Sequence, residues 1–459
     1  MRSKEDTATI IWHLAGMADQ QVHNPSANAK NLPTPSVQGI VTDGKGDFSH
    51  SSWQVVVPDV ANALYVFAAW RRQQFVGEVI ALSGPIGKST TRRMIEHLAT
   101  VRFSADRVAA QPSIDEDQWS VPLLLANLGN QAAAVVECHT DEQLCLCDPT
   151  MAVLTSHPTT AGFGREIVSA EPTLASLAPK ATVIMPANVR VDDDACVSVA
   201  RIMTYGREAE CDIQLREVRC GGGQLSFFVD EARVEIPVWG RHHAPAAAAA
   251  IAVARVWELP FLEIVTNLAN FSSHTAGCSV FHHANMTFIK DTRHAVRDSL
   301  RAALEMLQEV GATNDRQGTG RKVVVCDSII DTDDDSPKLS RVFGEQVCCV
   351  GGADLLLANG QHAEDVVNAA QTAGMSETSA RVISTTNENK MQCACDTADC
   401  GTEIAATLQR LLRPGDTVLF KSGAAGRLEK VVTEITQETK FLPSESPMFG
   451  HTTPSASFV

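Results

Sequence analysis

The sequence lacks the features of several large protein classes. It has no apolar run long enough to cross a bilayer, and the apolar segment near the N-terminus is too short and too soon interrupted for a signal peptide. Basic residues are in the minority, since 38 Lys and Arg stand against 54 Asp and Glu, for a net charge of -16. We therefore expect no membrane span and no extended nucleic-acid interface.

The 13 cysteines also lack the dense spacing of a secreted disulfide scaffold. Their odd number and their scatter favour a reducing compartment, and we expect a cytoplasmic protein. The one tight group comprises Cys393, Cys395 and Cys400, and it has no second ligand pair at the spacing of a zinc site. Free thiols are therefore favoured over bound zinc at this group.

With 459 residues the chain is too long for one hydrophobic core, and its patterning predicts an α/β protein of three domains. Residues 1–76 are predicted to form a small α+β domain that starts with a helix at 9–18. Residues 77–269 alternate strands with helices, which is typical of a doubly wound parallel sheet. Residues 270–459 repeat this alternation and are predicted to form a compact Rossmann-like domain.

The most specific pattern is a glycine-rich turn between a predicted strand and a predicted helix. The apolar run 79–82 indicates a buried strand, and a helical pattern follows the turn. In such a turn the backbone amides face inward, the helix N-terminus attracts anions, lysine reaches phosphates and a hydroxyl ligates magnesium. The pattern predicts a nucleotide-binding loop made of Gly84, Pro85, Ile86, Gly87, Lys88, Ser89 and Thr90. A turn without a ligand is the alternative, since Leu82 stands where the general P-loop has its first glycine.

Two polar residues lie near the ends of neighbouring predicted strands. Glu137 ends the buried run at 131–140, and His157 follows the apolar run that starts at Met151. Ligand groups in open α/β sheets sit at the carboxyl ends of strands, which places both residues beside Lys88 and Ser89. Glu137 and His157 are candidate catalytic residues, and a solvated carboxylate and a satisfied loop histidine are the alternatives.

Six segments, in order from about residue 40 to 435, resemble motifs of the Mur ligase family. They are SGPIGKSTT, VVECHT, TSHPTTAGFG, WGRHHAPAAAAAIAVA, IKDTRHAVRDSLRAAL and RPGDTVLFKSGAAGRLEKVV. The first is similar to the phosphate loop of the family, and the second to its glutamate-containing strand. The fifth is similar to a run that distinguishes the branch joining D-alanyl-D-alanine to a UDP-muramoyl tripeptide.

The resemblance implies a shortened substrate-binding domain at 1–76, a central ATP-binding domain at 77–269 and a ligase domain at 270–459 that closes over the nucleotide. It implies a monomeric enzyme of peptidoglycan precursor synthesis that uses ATP and Mg2+ and forms an amide bond through an acyl phosphate. Ser89, Glu137 and His157 would hold the magnesium in such an enzyme. The other residues implied at the ATP site are Lys88, Asp291, His294 and Lys421.

Several functional positions of the family carry other residues in this sequence. The asparagine of the phosphate loop is Ile86, two further asparagines fall on His243 and Ala246, and an arginine falls on Cys278. No lysine lies near Glu171, where the family carbamylates one. Three hypotheses stay open: a ligase for the UDP-muramoyl peptide and D-alanyl-D-alanine, a non-catalytic relative with a binding or scaffolding role, and a ligase for another carboxylate and amine.

Overall fold

The computed structural model divides the chain into two compact units, Met1–Ala276 and Gly277–Val459. The boundaries of three domains, at 76/77 and 269/270, stay a prediction from the sequence. The structure describes residues 10–12, 39–42, 53–84, 86–111, 119–155, 177, 179–189, 199–272, 278–292, 297–314, 320–329, 336–383, 398–423 and 427–437. None of the helices in these ranges is both long enough and apolar enough to cross a membrane.

The first unit begins with a small parallel sheet. Its strands are β1 (Ile10–Trp12), β2 (Gly39–Thr42) and β3 (Trp53–Val56), and helix α1 (Val60–Gln74) follows them. The prediction of a helix at 9–18 is wrong for residues 10–12, which pair with β2 instead. The run of two isoleucines and a tryptophan suits a strand, and pairing with a distant segment outweighs the weak local helical pattern.

A seven-stranded parallel sheet forms the centre of this unit, as the alternating pattern predicted. Its strand order is β10-β9-β8-β7-β4-β6-β5. The strands are β4 (Glu78–Ser83), β5 (Val108–Ala110), β6 (Ala133–Glu137), β7 (Met151–Leu154), β8 (Thr182–Pro186), β9 (Arg201–Gly206) and β10 (Ile213–Gln214). An antiparallel meander of β11 (Arg216–Gly221), β12 (Gln224–Val229) and β13 (Ala232–Ile236) follows.

Helices cover both faces of the central sheet. They are α2 (Lys88–Phe103), α3 (Ser120–Ala126), α4 (Asp141–Cys147), α5 (Ala244–Val256) and α6 (Phe261–Leu268), with short 3-10 turns at Ala105–Arg107 and Arg241–His243. Ile80 and Leu82 of β4 belong to the core that contains α2 and α5, whereas Val79 and Ala81 belong to the core that contains α3 and α4. Because side chains alternate along a strand, the apolar run 79–82 has to be buried on both faces.

The second unit contains a six-stranded mixed sheet in the order β14-β15-β19-β16-β17-β18. The strands are β14 (Cys278–His283), β15 (Met286–Asp291), β16 (Lys322–Asp327), β17 (Leu355–Asn359), β18 (Ala380–Val382) and β19 (Thr417–Ser422). Only β14 is antiparallel among these described strands. The helices are α7 (Arg297–Asn314), α8 (Ser336–Cys349), α9 (Ala363–Thr372), α10 (Ala398–Leu411) and α11 (Arg427–Gln437). Both units therefore have the α/β architecture that the sequence predicted.

Candidate active site

A turn with two left-handed glycines joins β4 to α2. Gly84 has a φ of +124° and Gly87 a φ of +81°, a region that residues with a Cβ atom rarely adopt. A Cβ atom on Gly84 would also lie only 2.4 Å from the Oγ1 atom of Thr155. The course of the backbone here therefore depends on glycine, as it does in loops that bind phosphate groups.

Lys88 begins α2 and folds back over this turn. Its Nζ atom donates a hydrogen bond of 2.7 Å to the carbonyl oxygen of Gly84, so the ammonium group lies against the loop backbone. The Oγ1 atom of Thr91 donates to the Gly87 carbonyl oxygen at 2.8 Å and secures the first turn of the helix. A cation and the N-terminus of a long helix thus meet at the glycine turn, which is the arrangement that attracts anions.

The structure brings Ser89 and Glu137 together. Glu137 ends β6, a parallel neighbour of β4, and pairs in register with Leu82 two residues before Gly84. The Oγ atom of Ser89 donates a hydrogen bond of 2.9 Å to the Oε2 atom of Glu137. The predicted hydroxyl and the predicted carboxylate therefore form one polar pair at the carboxyl end of the sheet. Their role as metal ligands stays a prediction.

Arg92 is a member of this cluster that the sequence analysis missed. Its Nε atom donates to the Oε1 atom of Glu137 at 2.6 Å, and its side chain is only 5% exposed. Its Nη1 atom donates to the Gln111 carbonyl oxygen at 3.0 Å and also to Glu96. The spacing held a signal, because a residue three positions after Ser89 lies on the same helix face.

Arg92 is shared between two carboxylates that are both largely withdrawn from water. Burial by itself lowers the pKa of Arg92, but the attraction of Glu96 and Glu137 outweighs it, and the net shift is upward. Burial raises the pKa of Glu96 to about 7, and the pairing with Arg92 offsets only part of that effect. Because the guanidinium group is shared with Glu137, it offsets only part of the cost of burying the Glu96 carboxylate.

Thr155 lies at the end of β7, beside Gly84. Its backbone amide donates to the Ser83 carbonyl oxygen at 2.8 Å, which ties the end of β7 to the glycine turn. Its Oγ1 atom is buried and has no hydrogen-bond partner within the described part of the chain.

Some residues named in the sequence analysis lie outside the described residues. They are Pro85, His157, Glu171 and His294. The side chains of the cysteine group at 393–400 lie outside them as well.

Two predicted residues of the second unit pair with each other. Lys421 on β19 is in register with Asp291 on β15, and its Nζ atom lies 2.8 Å from the Oδ2 atom of Asp291. Nζ also donates to the Ser299 hydroxyl at 3.2 Å, and the Lys421 side chain is fully buried. Within this unit the lysine charge is therefore balanced by Asp291.

The residues at the glycine turn suit a magnesium-nucleotide complex. A serine hydroxyl and a carboxylate are hard oxygen donors of the kind that Mg2+ selects, and Mg2+ usually draws its other ligands from phosphates and water. No group of three or more His, Cys, Asp and Glu side chains in the described ranges is arranged to hold a metal by itself. A metal at Ser89 and Glu137 would accordingly take further ligands from the nucleotide.

No protein-family model matches the sequence, but individual relatives do. The chain is 23% identical over 401 residues to the UDP-N-acetylmuramoyl-tripeptide--D-alanyl-D-alanine ligase of Synechocystis, covering 84% of this chain and 80% of that protein. Among solved structures it is similar to MurF from Acinetobacter baumannii, with a TM-score of 0.67, 22% identity and coverage of 87% and 85%.

MurF ligase from Thermotoga maritima, solved in complex with ADP, matches with a TM-score of 0.65 and 18% identity over 87% of this chain and 88% of that one. Identities at this level in solved structures establish a shared fold. The sequence match to the Synechocystis protein extends over most of both chains. Over most of its length this chain is therefore similar to Mur ligases, and these matches include relatives and solved structures of the MurF branch.

Proposed function

We propose that this protein is an ATP-dependent ligase that joins a carboxylate to an amine. The observation that carries the proposal is the Ser89–Glu137 hydrogen bond beside the Lys88 ammonium group, at a turn held by two left-handed glycines. An amide ligase has to bind a triphosphate, position its terminal phosphoryl group and offset the charge that develops during transfer. The described residues of the first unit supply a group for each of these tasks.

The glycine turn and the N-terminus of α2 would bind the phosphates through backbone amides. Lys88 now donates to the Gly84 carbonyl oxygen and would exchange that acceptor for a phosphate oxygen. Such an exchange replaces a neutral acceptor with a charged one, and hydrogen bonds between charged groups are the stronger ones. Lys421, Asp291 and His294 are proposed to take part in ATP binding as well.

The proposed reaction has two steps. A carboxylate oxygen of the first substrate attacks the γ-phosphorus of ATP, the bond from that phosphorus to the β-γ bridging oxygen breaks, and ADP leaves. The amine nitrogen of the second substrate then attacks the acyl carbon, the carbon-oxygen bond to phosphate breaks, and the nitrogen loses a proton. Mg2+, when bound by Ser89 and Glu137 with His157, would supply charge compensation on the phosphates. Lys88 would orient the transferred group and stabilise its negative charge.

The proposed substrates are a UDP-muramoyl tripeptide and D-alanyl-D-alanine, the pair named by the relatives that match over most of the chain. A cytoplasmic location is part of the proposal, and it is supported by nine cysteines in the described ranges that form no disulfide. The shortened stretch before β3 motivates the variant of this proposal in which another carboxylate and amine are joined.

Phosphate release tests the proposal. ATP and Mg2+ are supplied with the muramoyl tripeptide and D-alanyl-D-alanine, and phosphate is expected only when all are present. Lys88→Ala should abolish both turnover and ATP binding measured by calorimetry. The matched control is Lys180→Ala, which removes a lysine that is 69% exposed on the same unit and should leave both unchanged. Folded protein that binds ATP without substrate-dependent phosphate release would contradict the ligase proposal.

A binding or scaffolding relative is the second candidate function. It is favoured by one observation: both carboxylate oxygens of Glu137 already have partners, Arg92 on Oε1 and Ser89 on Oε2. In a protein with this second function, Ser89, Glu137 and Arg92 would stabilise the glycine turn, and Lys88 would keep its bond to the Gly84 carbonyl oxygen. Wild-type protein that binds no MgATP, and whose unfolding temperature ATP leaves unchanged, would favour this candidate over the ligase.

A further inference from the structure

We propose that Arg92 is a positioning residue of the site and that it acts through Glu137 on the Ser89 hydroxyl. The inference rests on the proposed function, in which the glycine turn binds ATP with Mg2+. It refines the proposed metal site: Ser89 is the group that touches the metal, and Glu137 acts through the hydrogen bond that orients Ser89 and not as a direct ligand. Arg92 fixes the Glu137 carboxylate and touches neither nucleotide nor metal.

Glu137 is held at three points. Arg92 donates to Oε1 at 2.6 Å, Ser89 donates to Oε2 at 2.9 Å, and the Glu137 backbone amide donates to the Gln111 side-chain oxygen at 2.6 Å. The guanidinium group occupies one carboxylate oxygen, which leaves the other to face the helix turn that carries Ser89. The carboxylate plane is therefore set by a buried residue and does not depend on solvent.

The direction of the Ser89 hydrogen bond determines what the hydroxyl can do next. A serine hydroxyl has one proton and two lone pairs, and here the proton is given to Glu137. Both lone pairs stay available, and a lone pair is what a cation requires. Partners that orient a metal ligand in this way typically change metal affinity by about 10- to 100-fold when they are removed.

Arg92 also changes how strongly Glu137 can itself attract a cation. The guanidinium compensates the carboxylate charge at close range, so Glu137 becomes a weak direct ligand and remains a good hydrogen-bond acceptor. Arg92 is itself fixed by the Gln111 carbonyl oxygen at 3.0 Å and by Glu96 on the next helix turn. A planar fork with several donors is needed to meet these partners at once, and lysine does not provide it.

The test measures ATP binding by calorimetry at a series of Mg2+ concentrations. Arg92→Lys keeps the charge, and Arg92→Gln keeps a shorter donor without charge. Both should raise the Mg2+ concentration at half-maximal ATP binding, by about tenfold or more for Arg92→Gln and by less for Arg92→Lys. ATP affinity measured with a chelator and no Mg2+ should stay at the wild-type value. The matched control is Arg255→Gln, which breaks another arginine–carboxylate pair of the same unit, with Asp230, and should leave the Mg2+ dependence unchanged.

A double-mutant cycle with Ser89→Ala decides whether Arg92 works through Ser89. Arg92→Lys should add nothing to the Mg2+ dependence of Ser89→Ala if both belong to one chain of contacts. Independent effects, or a folded Arg92 variant with the wild-type Mg2+ dependence, would overturn the inference. Loss of folding in both Arg92 variants would also overturn it, because Arg92 would then be a structural residue. Wild-type protein that binds no MgATP refutes the proposed function instead.

Discussion

Glu96 gives the sharpest quantitative prediction in the structure. Its carboxylate pairs with Arg92 on α2, yet burial raises its pKa from the ordinary 4.5 to about 7. We consider Glu96→Gln, which keeps the shape and an oxygen that accepts from Arg92 but has no proton to gain or lose. The variant resembles the protonated form of the wild-type side chain, so any difference from wild type has to depend on pH.

The sign follows from the direction of the shift. At pH values between the pKa of Glu96 in the unfolded chain and its pKa in the folded protein, the native state holds a proton that the unfolded state has released. The free energy of unfolding therefore falls as the pH rises through this range. The stabilisation is complete below about pH 4.5 and is lost as the pH passes through about 7. A change from 4.5 to about 7 corresponds to at most about 3 kcal/mol. Glu96→Gln should match wild type at about pH 4 and exceed its stability by up to that amount at about pH 8.

Tryptophan fluorescence measures the stability of the unit that contains Glu96. All 6 tryptophans of the chain lie before residue 277, in the unit that contains Glu96; they are Trp12, Trp53, Trp70, Trp119, Trp239 and Trp257. Urea unfolding is monitored by their emission at several pH values from about 4 to about 8, and this signal reports the first unit alone. The general pH dependence is common to both proteins and cancels in their difference. A difference that stays constant with pH, or that favours wild type at high pH, would refute the reasoning.

Three further predictions concern close packing and buried charge. Gly84→Ala should abolish ATP binding in calorimetry and cost on the order of 1–3 kcal/mol, because its Cβ would lie 2.4 Å from Thr155 Oγ1 at a φ of +124°; an unaltered ATP affinity would contradict this. Gly344→Ala should loosen the contact of α8 with α9, since its Cβ would lie 2.2 Å from the Val366 carbonyl oxygen. Faster hydrogen exchange is expected in the second unit only, and equal exchange in both units would argue against it. Lys421→Met should lower the free energy of unfolding by about 3–5 kcal/mol in calorimetry, because Asp291 loses its cation. Adding Asp291→Asn should recover part of the lost stability, and strictly additive losses would disprove the coupling.

The glycine turn and its neighbours could be predicted because their signals are local. The run 79–82 is buried on both faces, and glycine at 84 and 87 is required by positive φ angles, so sequence pattern and structure agree there. The helix expected at 9–18 failed because β1 exists only through its partner β2. A short apolar segment does not reveal such a partner by its own periodicity.

Long-range pairs account for what the sequence could not give. Arg92 was overlooked because its role depends on Glu137, which is 45 residues away and becomes a neighbour only when β4 and β6 pair. Lys421 and Asp291 were each expected near a nucleotide, but their mutual pairing follows from the adjacency of β15 and β19. Strand order is a property of the whole sheet, so residue spacing alone does not predict it.

The charges around the glycine turn distinguish the role of Lys88 from that of Arg92. The protein carries a net charge of -16, so a triphosphate is attracted only by local positive groups. Arg92 pairs with Glu137 and Glu96, whereas Lys88 donates to the carbonyl oxygen of Gly84 at the glycine turn itself. Lys88→Ala should therefore abolish ATP binding with and without Mg2+, while Arg92→Lys should weaken it only with Mg2+. Calorimetry in the presence of a chelator distinguishes the two variants, and equal losses in both would mean that Arg92 attracts the phosphates directly.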